Sequence, residues 1–124
     1  MGCVYLVGSR QYGWYKIGCS KADTPKKRIK AISEGCPFPI QLVGFWKVFD
    51  HRLIENWLHK HFHAKHIRGE WFRLPEADLI ECGRLVVHYD RIIRAQKPRG
   101  MNPKKARMLK RIQIAVRQKL GLAS

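Results

Sequence analysis

Acidic residues are scarce in this chain. Nine Asp and Glu stand against 25 Lys and Arg among 124 residues, a formal net charge of +16. From Arg91 onward there are 11 basic residues and no acidic one. Such a surplus points to a polyanionic partner, because each phosphate neutralised by Lys or Arg releases condensed counterions. Long apolar runs are also missing. Nothing approaches the roughly 20 residues of a membrane span, and no apolar N-terminal segment reads as a secretory signal. The expectation is a soluble, cytoplasmic protein. A membrane surface is the weaker partner, since the basic tail has few aromatics and no lipid anchor. There is no C-x-x-C pair: Cys3, Cys19, Cys36 and Cys82 are widely spaced. They read as small buried hydrophobes rather than disulfides or zinc ligands. Five of the six histidines lie between His51 and His66, without the tight Cys/His spacing of a structural zinc site. No internal repeat occurs.

What is present suffices for one compact domain and an appended helix. Hydrophobic residues make up 45% of the chain, enough for a single core at this length. Residues 1–74 hold 13 basic and five acidic residues, and residues 75–124 hold 12 and four, so each part carries +8.

Cys3–Val7 and Trp14–Cys19 are β-prone runs joined by a Gly-bearing loop, the pattern of an antiparallel hairpin. Asp23 or Thr24 can cap a helix over Lys26–Glu34, with Pro25 in its first turn, Gly35 as its stop and Pro37 and Pro39 preventing renewal. Ile40–Phe49 is apolar enough to be a central strand. A second helix runs from about His51 to Ala64, its core stripe formed by Leu53, Ile54, Trp57, Leu58 and Phe62. Glu55 and His59 fall one turn apart on the rim of that stripe. Gly69–Leu74 is a short extended segment anchored by Trp71 and Phe72. A third helix, acidic in its first turn, continues from Pro75 to about Arg94 through Leu79, Ile80, Leu85, Val86, Tyr89 and Ile93. Gln96–Pro103 is a linker by composition. A last helix from Pro103 sets Met108, Ile112, Ala115 and Val116 opposite a basic face that includes Lys104, Arg107, Lys110 and Arg111.

In this order of elements Cys3-Val4-Tyr5, Lys16-Ile17-Gly18, Arg28, the Glu55-to-His59 E-x-x-x-H run and Gly69-Glu70-Trp71-Phe72 follow one another. The series resembles the GIY-YIG nuclease superfamily, and more closely its phage-associated branch whose second motif reads K-I-G. The resemblance covers about residues 2–74. It implies an α+β domain with a three-stranded, mainly antiparallel sheet flanked by helices. Residues 75–95 then form a helix packing on the core, and residues 96–124 a basic linker and C-terminal helix for nucleic acid.

The resemblance also implies a metal-dependent DNA endonuclease that cuts one strand per active site; whether RNA is accepted stays open, and a dimer is one route to a double-strand break. Phosphodiester hydrolysis needs a positioned water, proton transfer and stabilisation of charge on the phosphorus oxygens. Glu55 can hold Mg²⁺ or Mn²⁺, which take oxygen ligands and keep several waters. Arg28 can clamp a phosphate bidentately. Tyr5 can orient or deprotonate the water through its phenol. Lys16 stands at the station of the family's second tyrosine, where an ammonium can steady a phosphate oxygen. His59 can orient a water, shuttle a proton or bond the backbone. Lys26, Lys27 and Lys30, with Lys104, Lys105, Arg107, Lys110 and Arg111, are candidate nucleic-acid contacts.

One departure stands out. Many superfamily members carry a histidine about one turn after the arginine, whereas this chain reads Ile29-Lys30-Ala31-Ile32-Ser33. General-base duty then falls on Tyr5, Lys16 or a metal-bound water. The alternative is a nucleic-acid-binding module that keeps the fold and has lost turnover. A zinc-stabilised interaction domain ranks far behind.

Overall fold

The apolar alternation of the first 20 residues folds as expected. In the computed structural model, which describes residues 1–96, β1 (Gly2–Ser9) and β2 (Trp14–Ser20) pair antiparallel around the Arg10–Gly13 turn. After α1 (Lys26–Gly35), β3 (Gln41–Val48) pairs with the other edge of β1. Next come α2 (His51–His61), a 3₁₀ turn (His63–Lys65), β4 (His66–Arg68), β5 (Trp71–Arg73) and α3 (Glu76–Ala95).

The sheet has five strands in the order β3-β1-β2-β5-β4, not three, and every pairing is antiparallel. The two extra strands, β4 and β5, meet at Gly69, whose φ of 56° opens a two-residue turn that a side chain would strain. That turn folds β4 back onto β5. The expectation that residues 40–49 form a central strand is also corrected. β3 lies at the edge, with Leu42, Val43 and Phe45 each more than a third exposed. Apolar content there marks an uncovered face.

Opposed residues of an antiparallel pair share a face, so the register divides the sheet. Val4, Leu6, Tyr15, Ile17, Val48 and Phe72 face α2 and α3 and join one continuous core with Leu53, Ile54, Trp57 and Leu58 of α2. The α2 stripe is as expected from its spacing. Five residues of α3, Leu79, Cys82, Val86, Tyr89 and Ile93, complete the cluster. Trp57 meets Tyr89 edge-on at 5.0 Å, a contact worth about 0.5–1.5 kcal/mol beyond area burial. Ile80 points to solvent instead, 73% exposed. Trp71 likewise stays outside the core cluster, and only Phe72 anchors it.

Helix ends are tied by side chains that sequence spacing only partly reveals. Pro25, not Asp23 or Thr24, occupies the N-cap of α1, and it supplies no side-chain hydrogen bond. Asp50 caps α2 by accepting from Leu53 N at 3.1 Å. Asp90 of α3 accepts from Phe49 N at 2.9 Å and pairs with Arg94, locking α3 to the end of β3. All four cysteines are free thiols. No helix among the described residues is long and apolar enough to cross a membrane. Residues 97–124, with the expected last helix and its contacts Lys104, Lys105, Arg107, Lys110 and Arg111, lie outside the described residues.

Candidate functional site

The second face of the sheet carries the polar chemistry. Tyr5 lies directly opposite Gly18, and Val7 opposite Lys16. Tyr5 is 1% exposed yet stands outside the main core cluster. Its ring lies over Gly18. A Cβ at position 18 would sit 2.8 Å from Tyr5 Cε2 and nearer still to Cζ and Oη. The glycine of the Lys16-Ile17-Gly18 motif is therefore the space in which the phenol rests.

Charged groups from three other parts of the fold act on that phenol. Burial pushes the Tyr5 pKa up to about 12; Arg28 on α1 opposes the shift, and Glu70 and Glu55 reinforce it. At neutral pH the hydroxyl is thus a proton donor and not a phenolate. Cys19 of β2 is likewise pushed up to about 12, by burial first and then by its hydrogen bond to the Glu55 carboxylate. Glu55 is half-buried, and no basic side chain among the described residues lies within ion-pair distance of it.

Lys16 pairs with Glu70 at 2.9 Å, both side chains only partly exposed. Glu70 belongs to the β4–β5 turn, and its carbonyl also accepts from Ile17 N at 3.1 Å. This residue had no assigned part in the sequence reading. Its closeness to Lys16 depends on β2 pairing with β5, which no local signal announces.

His59 takes a backbone partner. Its Nε2 donates to the Ile17 carbonyl at 2.9 Å, and its ring packs edge-on against Phe72 at 5.0 Å. One turn earlier on the same helix face stands Glu55. The bond pins α2 to β2 and so holds Glu55 beside Cys19. His66 similarly bonds the Gly69 carbonyl at 2.7 Å. Among the described residues no three His, Cys, Asp or Glu side chains stand together as a metal cage, so the histidines of residues 51–66 assemble no zinc site. A Mg²⁺ ion held by one or two carboxylates and substrate phosphate needs no such cage. The lone Glu55 carboxylate, with Glu70 nearby, suits that donor chemistry.

The basic surface centres on α1. Lys26, Lys27, Arg28 and Lys30 are exposed, and none is in an ion pair among the described residues. Three of them occupy the first turn, which has no acidic residue and no side-chain cap. Cations at the positive end of a helix are unfavourable, by about 0.3–1 kcal/mol each. Unpaired helix N–H groups beside basic side chains form a ready anion site. The ion pairs of α3, by contrast, match Glu76, Asp78, Glu81 and Asp90 with Arg10, Lys65, Arg84 and Arg94. Of these uncompensated cations, Arg28 acts on Tyr5.

The T5orf172 domain family matches residues 2–87, more than half of the chain, and the chain belongs to that family, a phage-associated and nuclease-related grouping. The match runs from the first strand into α3 and takes in Tyr5, Lys16, Arg28, Glu55, His59 and Glu70. Neither the curated proteins nor the solved structures give a match.

Proposed function

We propose that this T5orf172-domain protein is a metal-dependent DNA endonuclease of GIY-YIG type, hydrolysing one strand per site. The observation that carries the reading is the set of groups acting on one buried phenol: Arg28, Glu55 and Glu70 around Tyr5, with Lys16 held on Glu70. A phosphodiester placed there meets a guanidinium able to clamp two of its oxygens and the uncapped first turn of α1. The protonated Tyr5 hydroxyl donates to a phosphate oxygen or orients the attacking water. Glu70, whose second carboxylate oxygen is not the one paired with Lys16, then takes the water's proton. Glu55 would hold Mg²⁺ or Mn²⁺, which when bound supplies Lewis-acid polarisation of a phosphoryl oxygen. His59 serves by keeping Glu55 in place. Lys26, Lys27 and Lys30 carry the flanking backbone.

A second reading is nucleic-acid binding without turnover. It draws on the missing histidine after Arg28 and on the ion pair that occupies Lys16. Incubation of the purified protein with supercoiled and linear DNA in Mg²⁺, Mn²⁺ or EDTA separates the two. Nicking in either metal and none in EDTA is expected. DNA left intact in every condition, alongside a salt-sensitive gel shift, favours the binding module.

A further inference from the structure

Four aromatic side chains near this site belong to no core. Tyr12 stacks on Trp14 with ring centroids 5.4 Å apart. Phe38, from the connection between α1 and β3, meets Tyr12 at 5.2 Å, Trp14 at 5.8 Å and Trp71 at 6.0 Å. None of the four joins the buried cluster, and each keeps part of its surface open. Burial therefore does not explain them.

Trp14, Phe38 and Trp71 line a groove of about 890 Å³ between the C-terminal part of α1 and the β4–β5 turn. Lys16, Arg68 and Glu70 also line it. The Trp14 indole N–H is shielded from solvent and has no hydrogen-bond partner among the described residues. A donor left so carries a desolvation cost of about 1–3 kcal/mol. Lys16 joins the groove to the phosphodiester site, since it pairs with Glu70 and lies on the Tyr5 face two residues from Gly18. That separation is about 7 Å along the strand.

We propose that the groove holds an unpaired nucleobase of the bound DNA strand, its face stacked on Trp71 and its rim against Phe38, which stands at 72° to Trp71, one step along the backbone from the phosphate at Arg28. The inference rests on the nucleic-acid reading above and names its substrate class: strands with a base free to leave the stack. A nucleobase on its strand suits the groove in two respects. Its flat face matches aromatic walls that tolerate any base. The phosphates that flank it on the strand suit Arg68 and the unpaired cations of α1. A duplex end or interior offers no such base without unstacking.

The test is binding in EDTA, where cleavage plays no part. Full-length protein is titrated with a short oligothymidylate, the same strand with abasic sites, and a blunt duplex. The expected result is tighter binding of the base-bearing strand than of the abasic one by roughly tenfold or more. Phe38→Ala should abolish that difference while leaving duplex affinity within about twofold, and Phe38→Tyr should retain it. Tyr12→Ala, at an exposed position, should weaken strand binding in the same sense without threatening the fold. Equal affinity for the base-bearing and abasic strands overturns the proposal. So does a Phe38→Ala loss shared equally by strand and duplex. A base preference in a protein that never nicks DNA supports the groove and defeats the nuclease reading. Metal-dependent nicking without base preference does the reverse.

Discussion

Replacing Gly18 by alanine separates the role of Tyr5 from ordinary strand chemistry, because the two predict opposite signs. A glycine inside a strand costs about 0.5–1 kcal/mol relative to alanine through its extra unfolded-state freedom. Its φ at position 18 is not in the left-handed region, so alanine would stabilise the fold if space allowed. It does not: the new Cβ falls 2.8 Å from Tyr5 Cε2 and closer to Cζ and Oη. The ring is 1% exposed and has nowhere to swing without displacing its neighbours. Overpacking of this kind costs about 1–3 kcal/mol, so the net effect once the strand gain is subtracted is a loss centred near 1 kcal/mol and reaching about 2.5. For a domain of this size that is about 4–8 °C in Tm for each kcal/mol lost. Urea and thermal unfolding measure it. Repeating the substitution in a Tyr5→Val background, where the side chain ends short of Gly18, should turn the loss into a small gain. The double-mutant cycle then yields a coupling of about 1–3 kcal/mol. Stabilisation by Gly18→Ala in the wild-type background, or equal effects in both backgrounds, would refute the placement of Tyr5 over the motif glycine.

Two further expectations concern charge. Lys27→Glu puts a favourable charge at the α1 N-terminus and should stabilise the protein by about 1 kcal/mol; the same change should weaken DNA binding and lower its salt slope by about one. Chemical denaturation and gel shifts across salt concentrations test both, and binding that survives unchanged would remove α1 from the interface. The second expectation concerns His51 at the start of α2. Burial pushes its pKa below the ordinary value, and the amino terminus, Arg52 and Lys21 add to the effect; its Nδ1 has no hydrogen-bond partner among the described residues. The unfolded chain therefore takes up the proton first. Stability from this group is complete above about pH 6.5 and is lost as pH falls below it. Tm measured from pH 7.5 to about 5.5 should fall, and fall less in His51→Asn; parallel curves would show that His51 is not the titrating group.

Elements whose signal is local were legible in the sequence. The Leu53, Ile54, Trp57, Leu58 stripe has helical period, and all four are buried. The β1–β2 hairpin follows from two short apolar runs around a glycine turn. The order of Tyr5, Lys16, Arg28 and Glu55 along the chain also located their elements. What escaped depends on pairing across the fold. β4 is three exposed residues, His66–Arg68, with no strand pattern of their own; only the Gly69 turn and its neighbour β5 make them one. β3 looked central because its residues are apolar, but hydrophobicity does not say which face is covered. Glu70 lay unassigned beside two aromatics until the β2–β5 register brought Lys16 to it. His59 was weighed as a catalyst and as a structural residue, and its 2.9 Å bond to Ile17 was invisible at a separation of 42 residues.

The most direct measurement is cleavage by Glu55→Gln at saturating DNA, read beside its DNA affinity. The substitution keeps the size of the side chain and can still accept from Cys19, so the fold and the α1 surface should persist. With Glu55 holding the metal, cleavage in Mg²⁺ should fall by roughly a hundredfold or more while Kd changes by less than about threefold. Cleavage at the wild-type rate by a Glu55→Gln protein that binds DNA normally would contradict the assignment of this site.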